Sequence, residues 1–276
     1  MITEVMLIRH GRTAYNLAHR LQGQIDVPLD VIGQWQADQT GYELARRFYW
    51  AKVSNIARHP DALPQPGPGA AELSDIDEYR NAPVAGRSMI VMSSDLFRAE
   101  QTAHAFADLL GLPVILDERF RERSFGQWEG LTRPEIRQID DAAYRSWRAH
   151  TGGELRYGVE SRVDCGRRGA DALNAIVSVH ENDDEDTTLV VVSHGSWIVA
   201  TVETLIGMNP DGLNGLGAMR NAFWSRLTPG CRPGGRRVWS LNEFNTGPQV
   251  AGLLDWENGP ADLRHEEMPR WKPLVQ

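Results

Sequence analysis

The chain has 276 residues, 41% apolar and 24% charged, an ordinary globular balance at a length that suits one domain with insertions better than two full domains. A net charge of −8 and a pI near 5.5 speak against nucleic acid or an anionic membrane surface as a partner, although local arginines can reverse the field inside one cleft. No apolar run reaches membrane-spanning length, and Cys165 and Cys231 permit neither a disulfide framework nor a zinc cluster, so a cytoplasmic location is expected.

Met1 to Ile8 lacks the basic start and cleavage site of a signal peptide and reads as a strand, with Val5 to Ile8 as its apolar run. Gly33 to Phe48 has helical spacing. From Tyr49 to Arg87 the chain carries Pro60, Pro64, Pro66, Pro68 and Pro83 and an acidic stretch, so 49–87 reads as an inserted loop or cap. Met89 to Met92 is a second strand. Phe97 to Leu110 is a helix with Gly111 placed as its C-cap. Val114 to Leu116 is a third strand, and Thr132 to Glu135 is a capping box opening a helix to about Ile139. Ser161 to Val179 is a longer helix, weakened by Gly166 and Gly169. Leu189 to Val192 is a strand and Trp197 to Ile206 an apolar helix. Phe223 to Leu227 and Val238 to Leu241 are expected to pair as a hairpin at a sheet edge, and 247–276 reads as an irregular C-terminal tail. Alternating strands and helices predict an α/β fold: a mostly parallel central sheet with helices on both faces and an antiparallel edge strand, in a single domain over 1–276.

Two of these strands end alike. Leu7-Ile8-Arg9-His10-Gly11 and Val191-Val192-Ser193-His194-Gly195 each deliver a histidine just past the strand's carboxyl end, where open α/β sheets bind ligands. If the strands are neighbours, the imidazoles face each other across about 5 Å. Arg9 and Arg98 also follow apolar strands, and guanidinium forks match phosphate oxygens. A lone histidine or arginine of this kind is more often a buried or surface residue. Two of each at matched positions favour an anion pocket. His10, His194, Asp95 and Glu122 offer metal ligands in principle, but there is no closely spaced histidine pair and adjacent guanidiniums repel a cation, so no metal and no cofactor are expected.

Together these residues resemble the histidine phosphatase superfamily, which includes the cofactor-dependent phosphoglycerate mutases. The first block, Leu7 to Asn16, continues through Gln22-Gly23, Asp26, Pro28-Leu29, Gly33 and Gln36-Ala37. Ser93 to Ala99 with Gln101-Thr102-Ala103 is the second, and Arg121 to Gly130 the third. Gly158 to Ser161 and Ser193-His194-Gly195 complete the set in family order. The 49–87 insertion and the C-terminal tail depart from the pattern.

The resemblance implies a phosphoglycerate mutase-like fold and assigns roles. His10 is the nucleophile that becomes phosphorylated, and Arg9, Arg98 and His194 are catalytic with it. Glu122 is the proton donor and later the base, with Glu129 as the nearby competitor and more structural in family terms. Asn16, Gln22, Gly23, Gly195 and Arg123 are substrate-binding. Arg12 and Arg121 are weaker candidates of the same kind, a solvated charge being the alternative for all three arginines. The expected substrate is a small phosphate ester, and a homodimer is an expectation of the family only. Three readings stay open: a phosphatase, a phosphomutase, and a non-catalytic binder of phosphorylated ligands. Phe125-Gly126-Gln127-Trp128-Glu129-Gly130 and Gln22-Gly23 look phosphatase-like, and the paired-arginine segment of mutases is not found, so a phosphatase is favoured.

Overall fold

The computed structural model describes residues 1–62, 76–212, 215–235, 237–264 and 266–272. Its strands are β1 (Ile2–Arg9), β2 (Arg87–Ser93), β3 (Val114–Leu116), β4 (Asp186–Ser193), β5 (Trp224–Cys231) and β6 (Arg237–Thr246). They form one six-stranded sheet in the order β3-β2-β4-β1-β5-β6. β1, β2, β3 and β4 run parallel, and β5 and β6 add the expected antiparallel hairpin at one edge.

The helices are α1 (Ala14–Leu17), α2 (Val31–Arg47), α3 (Tyr49–Arg58), α4 (Ile76–Asn81), α5 (Phe97–Leu110), α6 (Arg133–Ile139), α7 (Asp141–Arg148), α8 (Arg162–Val179), α9 (Gly195–Leu205) and α10 (Leu253–Asn258). They cover both sheet faces, because the strands alternate two apolar sets. Val5, Leu7, Leu189 and Val191 join a core with Leu173 of α8 and Ile198 of α9. Met6, Ile8, Val190 and Val192 join another with Leu44 of α2 and Phe106 of α5. The glycines expected to weaken α8 serve its packing instead. A Cβ on Gly169 would lie 1.9 Å from Thr201 Oγ1, and one on Gly166 would lie 2.5 Å from the Ala200 carbonyl, so only glycine allows α8 this close to α9.

Two expectations change. The 49–87 segment is not loop throughout. Its prolines begin only at Pro60, and before them α3 turns Ala51, Ser54 and Ile56 inward. Arg58 donates to the carbonyls of Ala85 and Arg87 and pairs with Glu185, which places this region at the amino ends of β2 and β4. None of its described residues reaches the carboxyl ends where His10 and His194 lie, so they form no cap there; residues 63–75 lie outside the described residues. The tail is not irregular throughout, since it contains α10. Trp256 of α10 is 1% exposed, stacks with Trp35 and Phe223 at 5.2 and 5.4 Å, and donates from Nε1 to the Asn221 carbonyl. Truncating an indole buried this way costs about 3–5 kcal/mol. One aromatic anchor leaves no periodicity for a sequence reading to detect. Residues 273–276 of that tail lie outside the described residues.

Candidate active site

β1 and β4 are hydrogen-bonded neighbours in a register that sets Arg9 opposite Ser193, so the two histidines emerge at one level. Their ring centroids are 5.1 Å apart, at the one-strand spacing expected. His10 Nδ1 lies 2.6 Å from the Gly11 carbonyl, which can only accept. Nδ1 therefore carries the proton and Nε2 is left with its lone pair. Burial, then the charges of Arg98 and Arg9, push the His10 pKa well below the ordinary imidazole value. Both effects keep the ring neutral, as a nucleophile requires.

His194 is fully buried and its pKa is likewise driven well down, by burial first and Arg98 next. Its Nε2 is 2.9 Å from Ser94 Oγ, and its Nδ1 has no partner among the described residues. Arg98, at the start of α5, spends Nη1 and Nη2 on the carbonyls of Ile25 and Gly23, both at 2.8 Å, and keeps Nε unpaired. Desolvation lowers its pKa to about 10. Arg9 donates from Nη1 to the Met219 carbonyl and also keeps Nε unpaired. Arg9 Nε, Arg98 Nε and His194 Nδ1 are thus buried polar groups without partners around one imidazole. Each such group costs about 1–3 kcal/mol unless something binds it. An oxyanion bearing several acceptor oxygens fits that need.

Glu122 sits against the amino end of α9. Its Oε1 accepts from the N–H groups of Arg123 and Trp197, and its Oε2 from that of Ser196. Glu129, its sequence competitor, accepts from the N–H groups of Gln24 and Phe125 and does not line the cavity. Gly23 is held beside it: its φ is +52°, and a Cβ there would meet Glu129 Oε1 at 2.1 Å.

A cavity of about 740 Å³ opens above His10. Arg9, Arg98, Glu122, Asn16, Gln22, Gly23 and Gly195 line it, while His194 lies just beneath its surface. Asn16 is fixed by a capping box with Thr13, and Gln22 Oε1 accepts from Thr13 Oγ1 at 2.8 Å. Arg123, expected to bind substrate, does not line the cavity. It pairs with the buried Glu154 at 2.9 Å and donates to the Glu160 carbonyl. Arg12 and Arg121 are diverted in the same way, by Asp30 and Asp95.

Other residues were missed by the sequence reading. Asn221 Nδ2 lies within 3.0–3.2 Å of the His10 and Gly11 carbonyls and of Asn16 Oδ1, tying the His10 backbone to the cavity wall. Thr102 Oγ1 accepts from the Gly11 N–H and donates to the Arg98 carbonyl. Asn221 has no local signal beyond being polar, whereas Thr102 stands in the second family block, though without an assigned role. At the mouth, Arg133 and Arg148 line the cavity, and neither makes an ion pair among the described residues. They are close enough that Arg148, after desolvation, lowers the Arg133 pKa. The two arginines come from two helices, so no single sequence segment carries both.

The profile of the histidine phosphatase superfamily (branch 1) matches residues 5–58 and 80–243. The chain belongs to the histidine phosphatase superfamily. It is 30% identical over 259 residues to a glucosyl-3-phosphoglycerate phosphatase of Mycolicibacterium vanbaalenii, across 91% of this chain and 97% of the relative. A probable phosphoglycerate mutase of Yersinia enterocolitica is 29% identical across 81% of this chain and 84% of its own. Among solved structures, a mycobacterial glucosyl-3-phosphoglycerate phosphatase in complex with inorganic phosphate superposes with a TM-score of 0.65 at 28% identity, over 90% of this chain and all of that one. Among the described residues of this histidine phosphatase, no helix is long and apolar enough to cross a membrane.

Proposed function

We propose that this histidine phosphatase is a phosphomonoester hydrolase that works through phospho-His10, without a metal, on a small phosphorylated metabolite. The observation that carries the reading is the convergence of two guanidiniums and a second imidazole, those of Arg9, Arg98 and His194, on a histidine whose Nε2 is free. The Arg9 and Arg98 guanidiniums, which line the cavity, match phosphate oxygens in charge and geometry. His10 Nε2 attacks phosphorus, the ester P–O bond breaks, and Glu122 gives its proton to the leaving alkoxide. Water then attacks the phosphohistidine, Glu122 takes its proton, the N–P bond breaks and phosphate departs. Positive charge at the transition state comes from Arg9 and Arg98.

Hydrolysis is favoured over transfer because the relatives named phosphatases match more of the chain than those named mutases. Arg133 and Arg148 supply charge for a second anionic group, such as a carboxylate, so glucosyl-3-phosphoglycerate is the first substrate to try. A cytoplasmic location is proposed on the two free cysteines.

The test follows free phosphate, isomer formation and protein labelling together, in the presence of a chelator. Wild type should carry acid-labile, base-stable phosphate and release phosphate faster than it isomerises 3-phosphoglycerate primed with bisphosphoglycerate. His10→Ala should lose the label and turnover. Isomerisation well ahead of release, or a rate restored only by metal, sinks the reading.

A further inference from the structure

Most of the cavity's charged lining is cationic, and Glu257 departs from that pattern. It is 7% exposed and lines the cavity from α10. Its backbone carbonyl accepts from Arg12 Nη1, but its carboxyl group makes no hydrogen bond or ion pair among the described residues. Arg9, Arg12 and Arg220 are near enough to act on it electrostatically, yet burial dominates and raises its pKa. A buried acceptor facing a cavity without a partner calls for a donor from the ligand. A second anionic group cannot provide one, and a hydroxyl can.

The next residue, Asn258, points to the kind of hydroxyl. Its Oδ1 accepts from the Trp271 N–H at 2.7 Å, and its Nδ2 donates to the Trp271 carbonyl at 3.4 Å. Trp271 also lines the cavity, 6.3 Å from the His19 ring between centroids, and His19 is itself 3.2 Å from the Lys272 carbonyl. The same C-terminal segment therefore offers an acceptor and an aromatic face. Hydroxyls on a ring whose C–H face packs on an indole match both. The cavity, at about 740 Å³, has room for such a ring beyond the phosphate.

We propose that the C-terminal segment forms a hexose subsite, in which Glu257 accepts a hydrogen bond from a ring hydroxyl and Trp271 packs against the ring. The proposal rests on the phosphatase reading and deepens it: the floor selects the phosphate, and this wall selects the alcohol that carries it. The paired test compounds are glucosyl-3-phosphoglycerate and 3-phosphoglycerate, which differ only in the hexose. The readout is the ratio of their kcat/KM values, together with the ratio of their dissociation constants on His10→Ala by calorimetry, which needs no turnover.

Wild type should prefer the hexose-bearing compound. Glu257→Leu should cut that preference about tenfold. Glu257→Gln, which keeps an acceptor oxygen, should recover part of it, and Trp271→Ala should lower it several-fold. A preference unchanged in both Glu257→Leu and Trp271→Ala overturns the proposal. So does an equal loss on both compounds, which would place Glu257 in support of Arg9, and so does a wild type with no preference. If wild type forms no phosphohistidine with either compound or with an aryl phosphate, the phosphatase reading fails, while the calorimetric preference still judges the subsite. If it is labelled but indifferent to the hexose, the subsite alone fails.

Discussion

The floor and the mouth of the cavity are built by different means. The floor comes from the adjacent ends of β1 and β4, and its groups are pinned by backbone: His10 by the Gly11 carbonyl, Arg98 by Gly23 and Ile25, Glu122 by the first N–H groups of α9. The mouth is assembled from α6, α7 and the C-terminal segment, and Arg133 and Arg148 reach into it without ion-pair partners among the described residues. Groups that act on one phosphorus atom need positions fixed to tenths of an ångström, and the carboxyl ends of two central strands provide that. Groups that choose among alcohols need only face the cavity, so they sit where the chain can vary without disturbing the sheet.

Substitutions on the floor should therefore cost most, and cost it in kcat. Arg98→Ala removes charge at the phosphate and also strands two loop carbonyls, so a fall of about 10²–10³ in kcat is expected, with a lower melting temperature. Arg98→Lys should not rescue it, because a point charge cannot serve both carbonyls and a phosphate oxygen in one plane. Near-wild-type rates for the lysine variant would remove the argument that fork geometry defines the floor. Glu122→Gln is the next largest. On an alkyl phosphate it should lose about 10²-fold or more, and far less on p-nitrophenyl phosphate, whose leaving group needs little protonation. Glu129→Gln, by contrast, loosens the backbone at Gln24 and Phe125 and should act on both substrates alike. If the two variants behave the same way, Glu122 is not the proton donor.

Substitutions at the mouth should act on KM. Arg133→Ala and Arg148→Ala are each expected to raise KM for 3-phosphoglycerate about tenfold relative to p-nitrophenyl phosphate, which has no second anion. The double variant should raise KM further than either single variant, because both charges face the same space. A fall in kcat as large as that for Arg98→Ala would erase the distinction between floor and mouth.

The same division explains what could be read from the sequence. His10 and His194 were legible because a strand, a histidine and a glycine recur within a few residues, and parallel pairing brings the repeats together. The helix Phe97–Leu110 was legible to the residue because Gly111, at φ +69°, stops it. That Arg123 lies outside the cavity lining was not legible, because its motif says nothing about Glu154, 31 positions away, which claims its guanidinium. Arg133 and Arg148 were missed because they belong to two short helices, and only the packing of α6 on α7 turns both toward one space. α10 was missed because it is held by the single anchor Trp256.

The smallest expected effect is on stability and follows from burying two neutral histidines in the floor. In the unfolded chain each imidazole protonates near pH 6.5. In the folded protein, burial and Arg98 hold both pKa values well below that. Below pH 6.5 the unfolded state therefore takes up protons that the folded state does not, and stability falls as the pH drops. Above pH 6.5 both states carry neutral rings, and these two residues add no pH dependence. Each can contribute at most about 1.4 kcal/mol per pH unit in the acid range. Urea unfolding from pH 7.5 to 5 should show this slope, and His10→Ala should show a shallower one, since one of the two linked protons is gone. The same shift has a kinetic counterpart. Phosphohistidine formation in a single turnover should persist below pH 6.5, because the free enzyme's nucleophile stays unprotonated there. A labelling rate that instead halves at pH 6.5, with a wild-type unfolding slope matching that of His10→Ala, would mean that His10 titrates as an exposed imidazole and that the floor is wetter than its burial indicates.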